Sequence, residues 1–187
     1  MVENGEKDFR AKQIYEWLWK KNVGNFDEMT NISVSLRELL QSNFIIYPIK
    51  IDLFVQSSKD ASCKFIFLTQ DNLKIEGVLI YDRERVTACV STQIGCPLKC
   101  AFCATGTMGF KRNLNYAEIY EQVFLLNKKA IELYGHNLSN IVLMGMGEPL
   151  LNTENTLNAI DFITGNYGMA MSPQRITLST VGLSLIH

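Results

Sequence analysis

Three cysteines crowd one short stretch, Cys96-Pro97-Leu98-Lys99-Cys100-Ala101-Phe102-Cys103. Thiolates are soft ligands that suit zinc or iron–sulfur clusters. Three of them on one loop can hold three corners of a cubane and leave the last iron open to another ligand. An electron-transfer cluster ordinarily takes four cysteines, so a set of three points to a cluster that binds and cleaves a substrate. Zinc sites usually show paired Cys-x2–4-Cys knuckles and four ligands. Here a three-residue gap and a two-residue gap have no second knuckle downstream, which leaves zinc as the residual reading. Pro97 and Lys99 suit a loop better than a core strand, against the alternative of buried structural thiols. Phe102, just before the last cysteine, can shield a cluster from water.

Other residues could share that chemistry. Glu148 follows a glycine at the end of an apolar run, in Gly145-Met146-Gly147-Glu148-Pro149. Glycine lets the backbone approach a ligand closely, and a carboxylate there could accept hydrogen bonds from a cationic amine. A plain strand-to-helix turn is the competing reading. Ser179 closes a later strand and can donate or accept a hydrogen bond. Cys89, seven residues before Cys96, is either an inert strand thiol or a second reactive one. Glu76 sits mid-strand: exposed and paired with Lys74 by default, or directed into a site as a base of raised pKa.

The elements that must position these residues are legible from periodicity. Over 8–22, Ala11, Ile14, Tyr15, Leu18 and Trp19 recur at helical spacing. Ser35-Leu36-Arg37-Glu38 fits a capping box opening a second helix, with Leu36, Leu39 and Leu40 inward. Phe26 and Met29 fill the shared core, and Trp17 and Trp19 read as core rather than as base-stacking platforms. A period of two follows in Ile49, Ile51, Leu53 and Val55, then strands over 63–68 and 73–81, a meander in which Cys63 is a small apolar side chain. Val86 to Gln93 is a strand that runs into the cysteine loop. Asn115 caps a helix to about Tyr134, with Ile119, Val123, Leu126 and Ala130 inward and Gly135 as its stop. Residues 140–144 read as a buried parallel strand, Thr153 opens a helix carrying Leu157, Ile160 and Phe162, and 175–180 is a further strand. The expected organisation is a helical accessory domain over 1–45, an antiparallel β-meander over 46–83 and a partial (β/α) barrel over 84–187. In such α/β folds chemistry gathers at the C-terminal strand ends, where the cysteine loop, Gly147-Glu148-Pro149 and Ser179-Thr180 all fall.

Composition bounds the partners. The formal charge of −1 excludes a globally basic nucleic-acid binder, although Lys99, Lys111, Arg112, Lys128 and Lys129 form a locally positive segment that could meet phosphates. No apolar run approaches a membrane span, and the first residues lack a signal peptide's apolar core. The expected location is the cytoplasm, where the five cysteines read as ligands or reactive thiols before disulfides.

The Cys-x3-Cys-x-aromatic-Cys pattern resembles the radical S-adenosylmethionine (SAM) signature, and longer strings narrow the likeness. Cys89-Val90-Ser91-Thr92-Gln93-Ile94-Gly95-Cys96, continuing through Cys103-Ala104-Thr105-Gly106, closely resembles the bacterial dual-specificity rRNA/tRNA adenine-C2 methyltransferases. So do Gly109-Phe110-Lys111-Arg112-Asn113-Leu114, Met144 to Asn152, and Arg175-Ile176-Thr177-Leu178-Ser179-Thr180, while Phe9 to Ile14 and Asn25 to Thr30 look like that family's N-terminal domain. The resemblance implies a radical SAM barrel that methylates carbon 2 of an adenine in 23S rRNA and tRNA. One SAM methylates an enzyme cysteine, and a second yields methionine and a 5′-deoxyadenosyl radical. It implies a [4Fe–4S] cluster on Cys96, Cys100 and Cys103, SAM contacts from Gly147, Glu148 and Ser179, Cys89 as the thiol that resolves the RNA adduct and Glu76 as proton acceptor. An external electron donor such as a flavodoxin-type reductant is implied as well.

The family's methyl-carrying cysteine lies near the C-terminus, whereas this chain has no cysteine after Cys103 and stops at His187. The resemblance thus implies the N-terminal part of the enzyme, and an isolated chain unable to complete methyl transfer. Ser184-Leu185-Ile186-His187 looks like a later SAM motif but arrives too early to take that role. The alternatives are the C8-methylating relative, which Pro149 weighs against, another radical SAM enzyme, and a non-enzymatic zinc module that binds RNA.

Overall fold

The computed structural model describes residues 6–46 and 49–182; the Ser184–His187 string lies outside them. The chain opens with α1 (Asp8–Tyr15), whose last turns widen into a π-helical segment over Glu16–Lys20. A short 3₁₀ turn over Phe26–Glu28 is closed by a capping box between Asn25 and Glu28. Helix α2 (Val34–Asn43) follows. Its N-cap is Ser33, which accepts the Leu36 N–H at 3.4 Å, so the helix starts two residues before the expected Ser35 box. Ile14, Val23, Phe26, Met29, Leu36 and Leu40 fill a small core of their own. Trp17 packs there. Trp19 does not: it belongs to the main core, stacked on Phe162 at 4.0 Å.

Six strands form one sheet, in the order β1 (Lys50–Gln56), β2 (Cys63–Leu68), β3 (Lys74–Asp82), β4 (Arg85–Cys89), β7 (Asn140–Leu143), β8 (Ile176–Leu178). Pairing is antiparallel through β4 and parallel from β4 to β7 to β8. The meander and the βα units therefore share one continuous sheet. A bulge between Ile51 and Leu53 interrupts the expected alternation in β1. Beyond it Phe54, not Leu53, joins the face of Phe65, and Leu53 and Val55 turn outward.

Two helices cover one face of the sheet, α4 (Tyr116–Tyr134) and α5 (Thr153–Thr164). Asn115 and Glu118 close a capping box on α4, and Gly135 ends it at φ 72°. Ile119, Val123, Leu126 and Ala130 are fully buried against Phe65, Phe67, Leu79, Ala88 and Ile141. On α5 the buried positions are Thr156, Ala159 and Ile163; Leu157, expected inside, faces solvent. Between β4 and α4 lies the cysteine loop, bracketed by a two-residue ribbon of β5 (Gln93–Ile94) and β6 (Arg112–Asn113) and containing the single turn α3 (Ala104–Thr107).

Candidate active site

Burial alternates along β2, β3 and β4, so the face away from the helices is fixed by register. Glu76 lies on it, as do Val78 and its partner Cys89 across the β3–β4 pair. Thr177 continues that face on β8, and Ser179 follows one residue past the strand end, exposed. Glu76 pairs with Lys64 at 2.7 Å, whereas Lys74, its expected partner, reaches Asp52 at 2.8 Å instead. Burial pushes the Cys89 thiol pKa up, partly offset by a backbone hydrogen bond from Met144.

Glu148 sits at the C-terminal end of this sheet and is 3% exposed. Its carboxylate accepts the Leu150 N–H at 3.1 Å and the Val181 N–H at 3.0 Å. Burial alone would raise its pKa, but those bonds, with one from the Thr180 side chain, outweigh it and hold the carboxyl below its ordinary value. The residue is thus an anion kept in place beside the β8 end. Gly147 has φ 105°, and a Cβ there would stand 2.6 Å from the Gln93 Cβ. Only glycine meets both demands.

The loop that carries the cysteines begins at Gly95, where φ is 75° and a Cβ would collide with the Gly109 carbonyl at 1.7 Å. Cys96 is buried, Cys100 and Cys103 are half-buried, and the Cys103 N–H donates to the Cys100 carbonyl at 3.0 Å. A hydrogen bond from the Gly106 backbone lowers the Cys103 pKa, with smaller help from Thr105. In kind the donor set fits a cluster: three thiols in one loop outside regular structure, one biased toward thiolate. Among the described residues, however, no three His, Cys, Asp or Glu side chains stand gathered around a point that could hold a metal ion. Phe102 is 92% exposed and shields nothing in this arrangement.

Sequence reasoning missed the polar frame that joins these parts. Ser91 Oγ donates to the Glu76 carbonyl at 2.7 Å and accepts the Met146 N–H at 2.9 Å. Gln122, buried on α4, binds both the N–H and the carbonyl of Ser91. Asn152 donates to the carbonyls of Thr92 and Leu114, while Thr92 Oγ1 is buried without a partner among the described residues. The signal available was a polar run, Ser91-Thr92-Gln93, at the mouth of an apolar strand. The expected basic segment is partly spent: Arg112 clasps Asp71 and Glu118 at 2.8 Å, and Lys129 pairs with Glu132.

A sheet of this order, with a three-cysteine loop after its first parallel strand and a glycine–carboxylate turn after its second, defines part of a radical SAM barrel. In keeping with that class, a solved radical SAM methyltransferase from Sphaerobacter thermophilus superposes with a TM-score of 0.86 at 38% identity, covering 97% of this chain and 53% of the other. Residues 1–46 match the ribosomal RNA large subunit methyltransferase N-terminal domain. The chain is 51% identical over 183 residues to a probable dual-specificity RNA methyltransferase RlmN of Cytophaga hutchinsonii, and 47% identical over 187 to that of Chlorobaculum tepidum. These matches cover 98% and 96% of the chain but 50% of each relative. Along nearly its whole length the chain is similar to these dual-specificity RNA methyltransferases, and it spans about half the length of the curated relatives it matches.

Proposed function

We propose that the chain is the cofactor-binding part of a radical SAM enzyme that methylates carbon 2 of adenine in 23S rRNA and tRNA. The observation that carries this reading is the convergence of the cysteine loop, the Gly147-Glu148 turn and the β8 end at one edge of the sheet. Cys96, Cys100 and Cys103 would hold a [4Fe–4S] cluster. Such a cluster, with SAM bound and an electron from a flavodoxin-type donor, supplies a 5′-deoxyadenosyl radical. Glu148, an anion fixed by three hydrogen bonds, would accept from the SAM amine, with Gly147 beside it in the same turn and Ser179, exposed one residue past β8, offering a hydroxyl. Cys89 and Glu76 share the sheet face that an adenine would meet.

Their surroundings suit separate tasks. The half-buried Cys89, its pKa raised by desolvation, needs a base before it can attack or resolve an adduct. Glu76, paired with Lys64 at 2.7 Å on the same face, is the proposed proton acceptor. No helix among the described residues is long and apolar enough to cross a membrane. The test is replacement of Cys100 by Ser at the gene, followed by mass spectrometry of 23S rRNA nucleosides. Loss of C2-methyladenosine is expected; its retention would remove the cluster from the account, and loss of a C8 mark instead would favour the C8-methylating relative.

A further inference from the structure

The Glu148 turn is held against the strand that feeds the cysteine loop. Gly145 N–H donates to the Val90 carbonyl at 3.0 Å, and the Met146 carbonyl accepts the N–H groups of Thr92 and Gln93 at 2.9 and 3.1 Å. Those bonds run between backbones and stop at Met146. The link to Glu148 itself is a side chain: Gln93 Oε1 accepts the Glu148 N–H at 2.8 Å. The other end of the same amide, Nε2, donates to Asn113 Oδ1 at 2.8 Å. Gln93 and Asn113 face each other in the β5–β6 ribbon, one at the entry to the cysteine loop and one at its return. Gln93 is 1% exposed, and its Cβ and Cγ fill the space that a side chain at position 147 would need.

We infer that Gln93 is a positioning residue: its amide fixes the height of Glu148 relative to both ends of the cysteine loop. It touches none of the reacting atoms itself. A buried amide with both ends engaged has one orientation, because a flip would set its Nε2 against the Glu148 N–H and its Oε1 against whatever Asn113 then offers. Movement of the loop would therefore reach the Glu148 backbone directly through this amide, while the Asn152 bonds to the Thr92 and Leu114 carbonyls hold the far side of the same turn. This inference rests on the reading of Glu148 as the acceptor for the SAM amine, so its test keeps the two apart.

The first readout needs no ligand. In Gln93→Met, similar in length but without an acceptor, the Glu148 amide loses its partner, and hydrogen exchange at that amide should quicken roughly tenfold. Gln93→Glu retains an acceptor, and the Asn113 amide can turn to donate to it, so protection should largely return. Asn113 is exposed, and Asn113→Ala, which frees the Nε2 end and gives up only one further bond, the 3.4 Å one from Asn113 Nδ2 to the Leu151 carbonyl, serves as the variant whose folding is not at issue; a smaller loss of protection at Glu148 is expected. The second readout is the dissociation constant for SAM in cluster-loaded protein, expected to rise about tenfold in Gln93→Met and to recover in Gln93→Glu. A lowered melting temperature with unchanged Glu148 exchange and unchanged SAM affinity would overturn the inference, since a merely structural glutamine behaves that way. Unchanged SAM affinity in Glu148→Gln would overturn the reading beneath it.

Discussion

Gly147 concentrates the constraints on the site. Its φ of 105° lies where a side chain is strained, and the space its Cβ would take is occupied by Gln93 at 2.6–2.8 Å. Gly147→Ala is therefore expected to cost roughly 2 kcal/mol of stability, because the neighbour is a buried, hydrogen-bonded side chain with no room to retreat. Denaturant unfolding measures this directly, and equilibrium dialysis should show SAM binding weakened more than any loss of folded protein explains. Glu148 is stabilised as an anion by N–H and hydroxyl donors, with no cationic partner among the described residues, which leaves its charge available to a ligand. At this scale the sequence was informative about types and poor about partners. The cysteine triplet and Gly147-Glu148-Pro149 stood out by spacing. Gln93 did not, because a glutamine at a strand end looks the same whether it is solvated or spans a buried gap.

Among the elements, α4 does the most to fix the site. Its N-terminal box ties Asn115 to Glu118, and the Glu118 carboxylate also receives Arg112, which is shared with Asp71 at the β2–β3 turn. The guanidinium holds the Asp71 carboxyl well below the usual carboxylate range. This chain of contacts pins the return of the cysteine loop to two separate elements. Asn115→Ala should cost about 1 kcal/mol, as expected for a lost N-cap, seen as a lower midpoint in thermal unfolding. The helix was legible in full, from its capping box to Gly135, because every local signal agreed. Strand β1 was less so: Ile49, Ile51, Leu53 and Val55 follow a clean period of two, and the bulge that turns Leu53 and Val55 outward comes from its pairing with β2. Ser33, a capping residue without the Glu partner of a box, was likewise hidden behind the better-looking Ser35.

The described residues form two cores joined by aromatic stacking and by one buried acid. Trp19 leaves the N-terminal core to stack on Tyr116 and Phe162 and meet Tyr120 edge-on, and the π-helical turn over Glu16–Lys20 is the local feature that aims it there. Helical periodicity identifies Trp19 as buried but says nothing of which core receives it. Nearby, the Glu121 carboxylate accepts the Ile49 N–H at 2.8 Å, holding the start of β1 against α4. Burial pushes its pKa up to about 7, against the pull of hydrogen bonds from Ile49 and Asn22, and Glu118 adds a smaller repulsion. A carboxyl whose folded pKa lies above its unfolded value binds more protons when folded. Its contribution to stability is complete below about pH 4.5 and declines as the pH rises toward 7. Glu121→Gln keeps an acceptor and removes the titration. It should stabilise the protein at pH 8 by on the order of 2 kcal/mol relative to its effect at pH 4.5, measured by urea unfolding at both values.

At this scale too, the family follows from order and spacing: a helical unit, a meander, then strand, cysteine loop, helix, strand, carboxylate turn. The central claim is that this arrangement holds an iron–sulfur cluster with one iron open to SAM. Anaerobic reconstitution with iron and sulfide, followed by electron paramagnetic resonance of the reduced protein with and without SAM, tests it most directly. A cluster signal that shifts on adding SAM is the predicted result. A protein that takes up stoichiometric zinc under the same anaerobic conditions, or a cluster whose signal ignores SAM, would contradict it.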